Sequence, residues 1–399
     1  MPFLTSVPFL MSRAWQLPEH LADVLPVQAH RVEALRRRML DQAARRGFEL
    51  VIPPMLEHLE SLLSGTGREL DLHTFKLVDQ LSGRTLGLRA DTTPQAARID
   101  AHLLNRHGVT RLCYCGPVLH TRAQALQGSR EAMQFGAELF GHAGLAADLE
   151  VLELAIDVLS DAGVQHLTLD LADARILRGV LAGVVLDEAG LEAVAAVLAS
   201  KDAGALDALS GSFSQPAREG LKALLALYGG DEVLARAKAV LPQRPLVHQA
   251  LQDLAWLQGH LCAAYPDLRV GFDLGDMSGY AYYSGARFAL YGQGSPDALA
   301  RGGRYDEIGS VFGRNRPAVG FSVVDIKELA LRVPPSPSAA GIRAPWSEDP
   351  ALREAVRQWR AAGETVVWAH DGPQTDRGDG PSCDRELVQV AGRWVLQAL

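Results

Sequence analysis

The stretch RLCYCGPVLHTRAQALQGSREAMQFGAELFG, residues 111–141, constrains the fold more than any other part of the chain. Its flanks, VTRLCYCGPVLH and QFGAELFG, read as strands, and the Gly- and polar-rich middle reads as the loop that turns one back beside the other. A strand that returns on its neighbour in this way pairs antiparallel. The same texture recurs elsewhere. TFKLVDQLSGRTLGLRA reads as strand, Ser-Gly turn and strand. It leads into a helix entered at Asp91-Thr92-Thr93-Pro94, where a Thr cap followed by Pro is a good start. LRVGFDLGD reads as a further strand and GYAYYSGARFALYG as a hairpin. Antiparallel strands interleaved with helices predict an α+β fold and not a doubly wound parallel one. The glycine-rich ARGGRYD follows a hairpin and lacks the GxGxxG and GxxxxGK[ST] spacings, so dinucleotide and P-loop sites are excluded.

Around this sheet the chain sorts into segments. A helix opens at Pro26, with Val32, Leu35, Met39 and Ala43 at helical spacing and Gly47 as its stop. GFELVIPP then reads as a strand ended by Pro53-Pro54. Arg36, Arg37 and Arg38 read as a solvated helix face. DLEVLELAIDVLSDAG is an apolar helix and VQHLTLDLA another strand. The expected division is a core in two parts (1–171 and 261–332), an Ala/Leu-rich helical insertion (172–260), a Pro/Ser linker (333–341) and a short C-terminal α/β element (342–399). Within the last, PALREAVRQWRAAG reads as a helix, ETVVWAH as a strand, GPQTDRGDGPS as a polar loop and ELVQVAGRWVLQAL as a terminal hairpin.

No apolar run reaches the roughly 18–20 residues of a membrane span, and MPFLTSVPFLMSRAW lacks the basic start of a signal peptide. A cytoplasmic protein without membrane contact is expected. The four cysteines make no CxxC pair and no Cys/His cluster, so free thiols and no metal site are expected. Cys113 and Cys115 are expected on opposite strand faces. The net charge of −8 argues against a nucleic-acid partner. The segment 342–399 sharpens this, with no Lys and seven Arg against nine Asp and Glu, a net of −2.

Five segments, in order, resemble the catalytic core of histidyl-tRNA synthetase, a class II synthetase, over about residues 15–330. RLCYCGPVLHTRAQALQGSREAMQFGAELFG is similar to that family's motif 2, and LRADTTPQAAR to its LRPEgT segment. MSGYAYYSG stands where the family has VRGLDYYTG, ARGGRYD where it has AGGRYD, and AVGFSVVDIKELAL where it has motif 3. The resemblance implies an antiparallel sheet with flanking helices. It also implies an amino-acid pocket of Asp91, Gln134, Glu138, Tyr282 and Tyr283. Carboxylates there suit an ammonium group and tyrosine hydroxyls an imidazole. A plainer reading stays open, in which Asp91 caps a helix and Glu138 pairs with a core arginine.

The departures concern phosphate. The motif 2 arginine aligns with His120, which cannot offer a bidentate cationic fork. The RGLDYY arginine aligns with Ser278 and the motif 3 arginine with Lys327. Arg122 lies two residues beyond His120, on the same strand face. Losing one group that stabilises phosphate charge typically costs on the order of 10²–10³ in rate, so losing three is expected to abolish adenylate formation.

A synthetase-like core with these losses and a short tail resembles the ATP phosphoribosyltransferase regulatory subunit family. LRADTTPQAARIDAH, GSREAMQFGAELFGHAGLAADLE and CDRELVQVAGRWVL carry that likeness. It implies a non-catalytic partner of a short-form catalytic subunit in the first step of histidine biosynthesis. Such a subunit has no cofactor, takes histidine as feedback effector, and dimerises through the motif 1 region (helix 26–46 and GFELVIPP). The alternatives are an active histidyl-tRNA synthetase or another synthetase-like paralogue.

Overall fold

Pro26–Arg45 form helix α1, which buries the predicted stripe of Val32, Leu35, Met39 and Ala43. Pro26 sits in its first turn, where a missing N–H costs nothing, and Gly47 follows its end at φ +78°. In the computed structural model the described residues are 16–399 except 64–66, 124–127, 277–278, 281, 308–312, 335–339 and 371–382. The chain divides into two compact units between Pro334 and Pro335.

The first unit is built on a nine-stranded sheet. Its strands are β1 (Glu49–Leu50), β5 (Thr110–Leu119), β6 (Glu131–Phe140), β7 (Thr168–Asp173), β8 (Tyr228–Gly229), β9 (Arg269–Asp273), β10 (Ala286–Tyr291), β11 (Ala300–Arg304) and β12 (Ala318–Val323). A separate three-stranded sheet holds β2 (Leu56–His58), β3 (Phe75–Val78) and β4 (Thr85–Leu88) in the order β2-β4-β3. The large sheet runs β1-β5-β6-β12-β11-β10-β7-β9-β8 and is antiparallel except at β1–β5 and β7–β9. This is the α+β arrangement the hairpins imply. The strand expected over GFELVIPP shrinks to Glu49–Leu50, because Pro53 and Pro54 have no N–H to continue the ladder.

Register sorts the sheet into two faces. Residues directly opposite in antiparallel strands share a face, so one row runs Tyr114–Gly136–Ser322–Arg301 and the next runs Leu112–Glu138–Gly320–Gly303. The other face presents Cys113, Phe135, Ala137, Leu139, Val319, Phe321 and Val323 to the core. There they meet α1 and the apolar helix Leu145–Ala162. Cys113 and Cys115 therefore share a face, contrary to expectation. Residues two apart on a strand must do so, and both pack against this core. Burial raises both thiol pKa values, to about 11 and about 12.

Between β7 and β9 the chain forms helices Ala174–Val180, Glu188–Ser200, Ala203–Leu209, Gln215–Leu224, Glu232–Val240 and Pro245–Ala264. Asp173, Asp187 and Asp202 cap the first three with their carboxylates. The two-residue β8 within this segment pairs back on β9. Sequence reading also missed β2, the helices Leu59–Leu63 and Gly67–His73, and a π-helical turn at Ile99–Leu104.

The second unit contains β13 (Gly341–Pro345), a helix at Pro350–Ala361, β14 (Val366–Ala369), β15 (Cys383–Val390) and β16 (Arg393–Ala398). Its sheet order is β14-β13-β15-β16. β13 and β14 are parallel and joined through the helix, a crossover unit, and β15–β16 is the terminal hairpin. Ile342, Ala344, Leu352, Val356, Val366 and Leu387 fill its core. The loop expected at GPQTDRGDGPS lies outside the described residues. No described helix is long and apolar enough to cross a membrane.

Candidate functional site

The polar face of β5, β6, β12 and β11 is a floor of small residues with long side chains rising at its edges. Gly136 and Gly320 make it possible. A Cβ on Gly136 would collide with the Tyr114 ring, and one on Gly320 with the Glu138 carboxylate. Gly303 lies under the Tyr283 ring, and a Cβ there would come within 2.9 Å of it.

Over this floor Asp91, Gln134 and Glu138 meet in one hydrogen-bonded network. Gln134 Nε2 donates to Asp91 Oδ1 at 2.9 Å, and its Oε1 accepts the Thr92 amide at 3.1 Å. Asp91 Oδ1 also accepts the Thr93 amide, at 3.1 Å. Thr93 Oγ1 stands 3.2 Å from that carboxylate and 3.0 Å from the Tyr114 hydroxyl. Tyr114 donates to Glu138 Oε1 at 2.9 Å, and Tyr305 donates to its Oε2. Tyr282 stacks on Tyr305 with ring centroids 5.0 Å apart, and Tyr283 meets Tyr282 edge-on at 5.2 Å. The Tyr282 hydroxyl is buried without a hydrogen-bond partner among the described atoms.

The plainer reading is half right. Asp91 does hold a backbone amide at the start of the helix Thr93–Arg98. Glu138 does not pair with an arginine. Its described partners are hydroxyls, the phenols of Tyr305 and Tyr114 foremost and then Thr93, and burial outweighs their hydrogen bonds and pushes its carboxyl pKa up to about 8. A buried carboxyl without a cation favours its neutral form, so the site is poised to receive positive charge. Sequence reasoning missed Thr93, Tyr114 and Tyr305. Two signals were there to find them. Counting the β5–β6 register places Tyr114 one row from Glu138, and Tyr305 sits in the GGRYD segment.

The positions aligned with the missing arginines are occupied otherwise. His120 Nε2 lies 2.9 Å from the Ala90 carbonyl, so that nitrogen carries the proton as donor. Burial holds the imidazole pKa below its usual value, which leaves the ring neutral. Lys327 Nζ reaches Glu131 Oε1 at 3.5 Å. Arg122 is exposed. Ser278 lies outside the described residues.

His120 also borders a cavity of about 150 Å³, shared with Ser129, Asp297, Arg301, Asp325 and Arg332. Burial raises the Asp325 pKa to about 6, although the amides of Met133 and Lys327 donate to it.

Residues 20–329 match the family model "Histidyl-tRNA synthetase", and residues 339–397 match "ATP phosphoribosyltransferase subunit HisZ C-terminal domain". The chain is 58% identical to the ATP phosphoribosyltransferase regulatory subunit of Verminephrobacter eiseniae, over 97% of this chain and 100% of that one. The protein of the same name from Variovorax paradoxus is also 58% identical, with the same coverage. Among solved structures, an ATP phosphoribosyltransferase regulatory subunit/histidyl-tRNA synthetase from Bacillus halodurans superposes with a TM-score of 0.79 at 29% identity, covering 93% of this chain and 96% of that one. Histidyl-tRNA synthetase from Nostoc shares the fold, with a TM-score of 0.76 at 18% identity over 96% and 97% of the two chains.

Proposed function

The chain belongs to the ATP phosphoribosyltransferase regulatory subunit family, and on that premise we propose that it activates a short-form catalytic subunit, makes no adenylate itself, and passes on feedback inhibition by histidine. Glu138 is the observation that carries the reading. It is a buried carboxyl ringed by tyrosine hydroxyls and tied through Tyr114 and Thr93 to Asp91, on a floor where neither His120 nor Lys327 presents a guanidinium to phosphate.

Histidine sits among Asp91, Gln134, Glu138, Tyr282 and Tyr283. For that binding to regulate, its affinity must differ between the active and inhibited assemblies, since a ligand shifts an equilibrium only by its differential affinity. Two copies pair through α1 and GFELVIPP. In support, β1 is a sheet edge, and Leu25, Val27, Leu50 and Ile52 are exposed along this region. The free thiols of Cys113, Cys115 and Cys262 and the absent membrane-spanning helix, both among the described residues, suit a cytoplasmic subunit, and the acidic tail suits one that holds no RNA.

Histidine-dependent ATP–pyrophosphate exchange tests the non-catalytic part. The expected result is no exchange above background with saturating histidine and ATP. Exchange at a synthetase-like rate would return the chain to the synthetases.

A further inference from the structure

The pocket has a carboxyl-lined end, ready for a cation, without a matching anion anchor in the segments aligned with the synthetase arginines. The synthetase-like segment AGGRYD reads ARGGRYD here, which puts Arg301 where that family has alanine. Resting on the histidine reading above, we infer that Arg301 anchors the carboxylate of a zwitterionic amino acid whose cationic end meets Asp91 and Glu138.

Four observations converge on it. First, register sets Arg301 on the same sheet face and in the same row as Ser322, Gly136 and Tyr114, one row from Glu138. Second, the residues between it and Glu138 on that face are Ser322, Gly320 and Gly303, whose small size leaves a gutter partly roofed by the Tyr283 ring over Gly303 and the Glu138 carboxyl over Gly320. The β11 and β6 backbones are two strand spacings apart, roughly 10 Å, a gap that an arginine side chain and a small amino acid fill together. Third, Arg301 is exposed and borders the cavity beside His120, and among the described residues no carboxylate comes within ion-pair distance of its guanidinium. Fourth, its charge reaches Tyr283, whose ring lies over Gly303, two residues along the same strand.

The neighbouring cations are committed elsewhere. Arg287, on the same face of β10, is bound to Asp276. Arg332 pairs with Glu328 at 3.8 Å, and Lys327 with Glu131. Carboxylates at one end of the gutter and a guanidinium at the other match a molecule carrying both charges. A guanidinium also offers a carboxylate two parallel hydrogen bonds.

The test compares L-histidine with histamine, the same imidazole and amine without the carboxylate, by calorimetric titration of the full chain. The wild type is expected to prefer histidine. Arg301→Ala is expected to weaken histidine by about 30-fold and leave histamine within about twofold, as removal of a charge-assisted carboxylate contact predicts. Arg301→Lys keeps the charge without the fork and should fall between. Glu138→Gln should weaken both ligands together. A histidine preference that survives Arg301→Ala overturns the assignment while leaving the pocket in place. A wild type that binds neither ligand overturns the pocket, and the anchor with it.

Discussion

Replacing Arg304 with leucine is expected to destabilise the first unit by about 3–5 kcal/mol, the usual cost of stranding one member of a buried ion pair. Arg304 belongs to the ARGGRYD segment, which resembles part of a synthetase active site, yet its work here is structural. Its Nε donates to Asp148 Oδ1 at 3.1 Å, and its Nη2 pairs with the same carboxylate. Nη1 donates to Asp306 at 3.1 Å and to the His142 carbonyl at 3.2 Å. Asp148 is 2% exposed, at the start of the apolar helix that covers the sheet. Without Arg304, water cannot take over the neutralisation of that carboxylate. The double variant Arg304→Leu/Asp148→Leu should recover much of the loss, because it removes the stranded charge as well. Urea unfolding midpoints measure both. A single-variant loss under about 1 kcal/mol would class the pair with exposed bridges and contradict the account.

Glu138→Gln is expected to abolish most histidine feedback while leaving activation of the catalytic subunit intact. Removing one partner of a buried charged contact costs about 2–5 kcal/mol in binding, so inhibition should need roughly 30-fold more histidine or worse. Glutamine is a close stand-in for the protonated acid: one phenol can still donate to its amide oxygen while the other accepts from its amide nitrogen. The fold should therefore survive, and its pH dependence gives a second readout. The folded-state pKa of Glu138 is about 8, above the ordinary glutamate value of 4.5. Its contribution to stability is fully present below the unfolded-state value. It is lost as pH rises through the folded-state value. The wild type should thus lose stability relative to Glu138→Gln between about pH 4.5 and pH 8, by up to a few kcal/mol. Melting curves at pH 5 and pH 9 check this, with the variant melting higher than the wild type only at the upper pH. Equal curves at both would show that Glu138 ionises freely and is no charge receptor.

Local pattern made much of this fold legible. The apolar spacing in α1 names its four buried residues, and the hairpin at 111–141 sets the antiparallel centre of the sheet. What sequence missed depends on distant partners. GIRAP is a strand only because β14 and β15 flank it, and β2 exists because β4 lies beside it. The site divides along the same line. Asp91, Gln134, Glu138, Tyr282 and Tyr283 were picked out by resemblance, and they gather over one floor. That Glu138 would lean on Tyr114 and Tyr305 depends on register across four strands, β5, β6, β12 and β11, which no local window carries. Arg301 was passed over because its meaning comes from the small residues opposite it, Ser322 and Ala289.

The most direct test of the central claim is pyrophosphate release from ATP and phosphoribosyl pyrophosphate by a short-form catalytic subunit, with and without this chain, and then with histidine added. The account predicts strong activation by the chain and its reversal by histidine. A catalytic subunit equally active without the chain would contradict it.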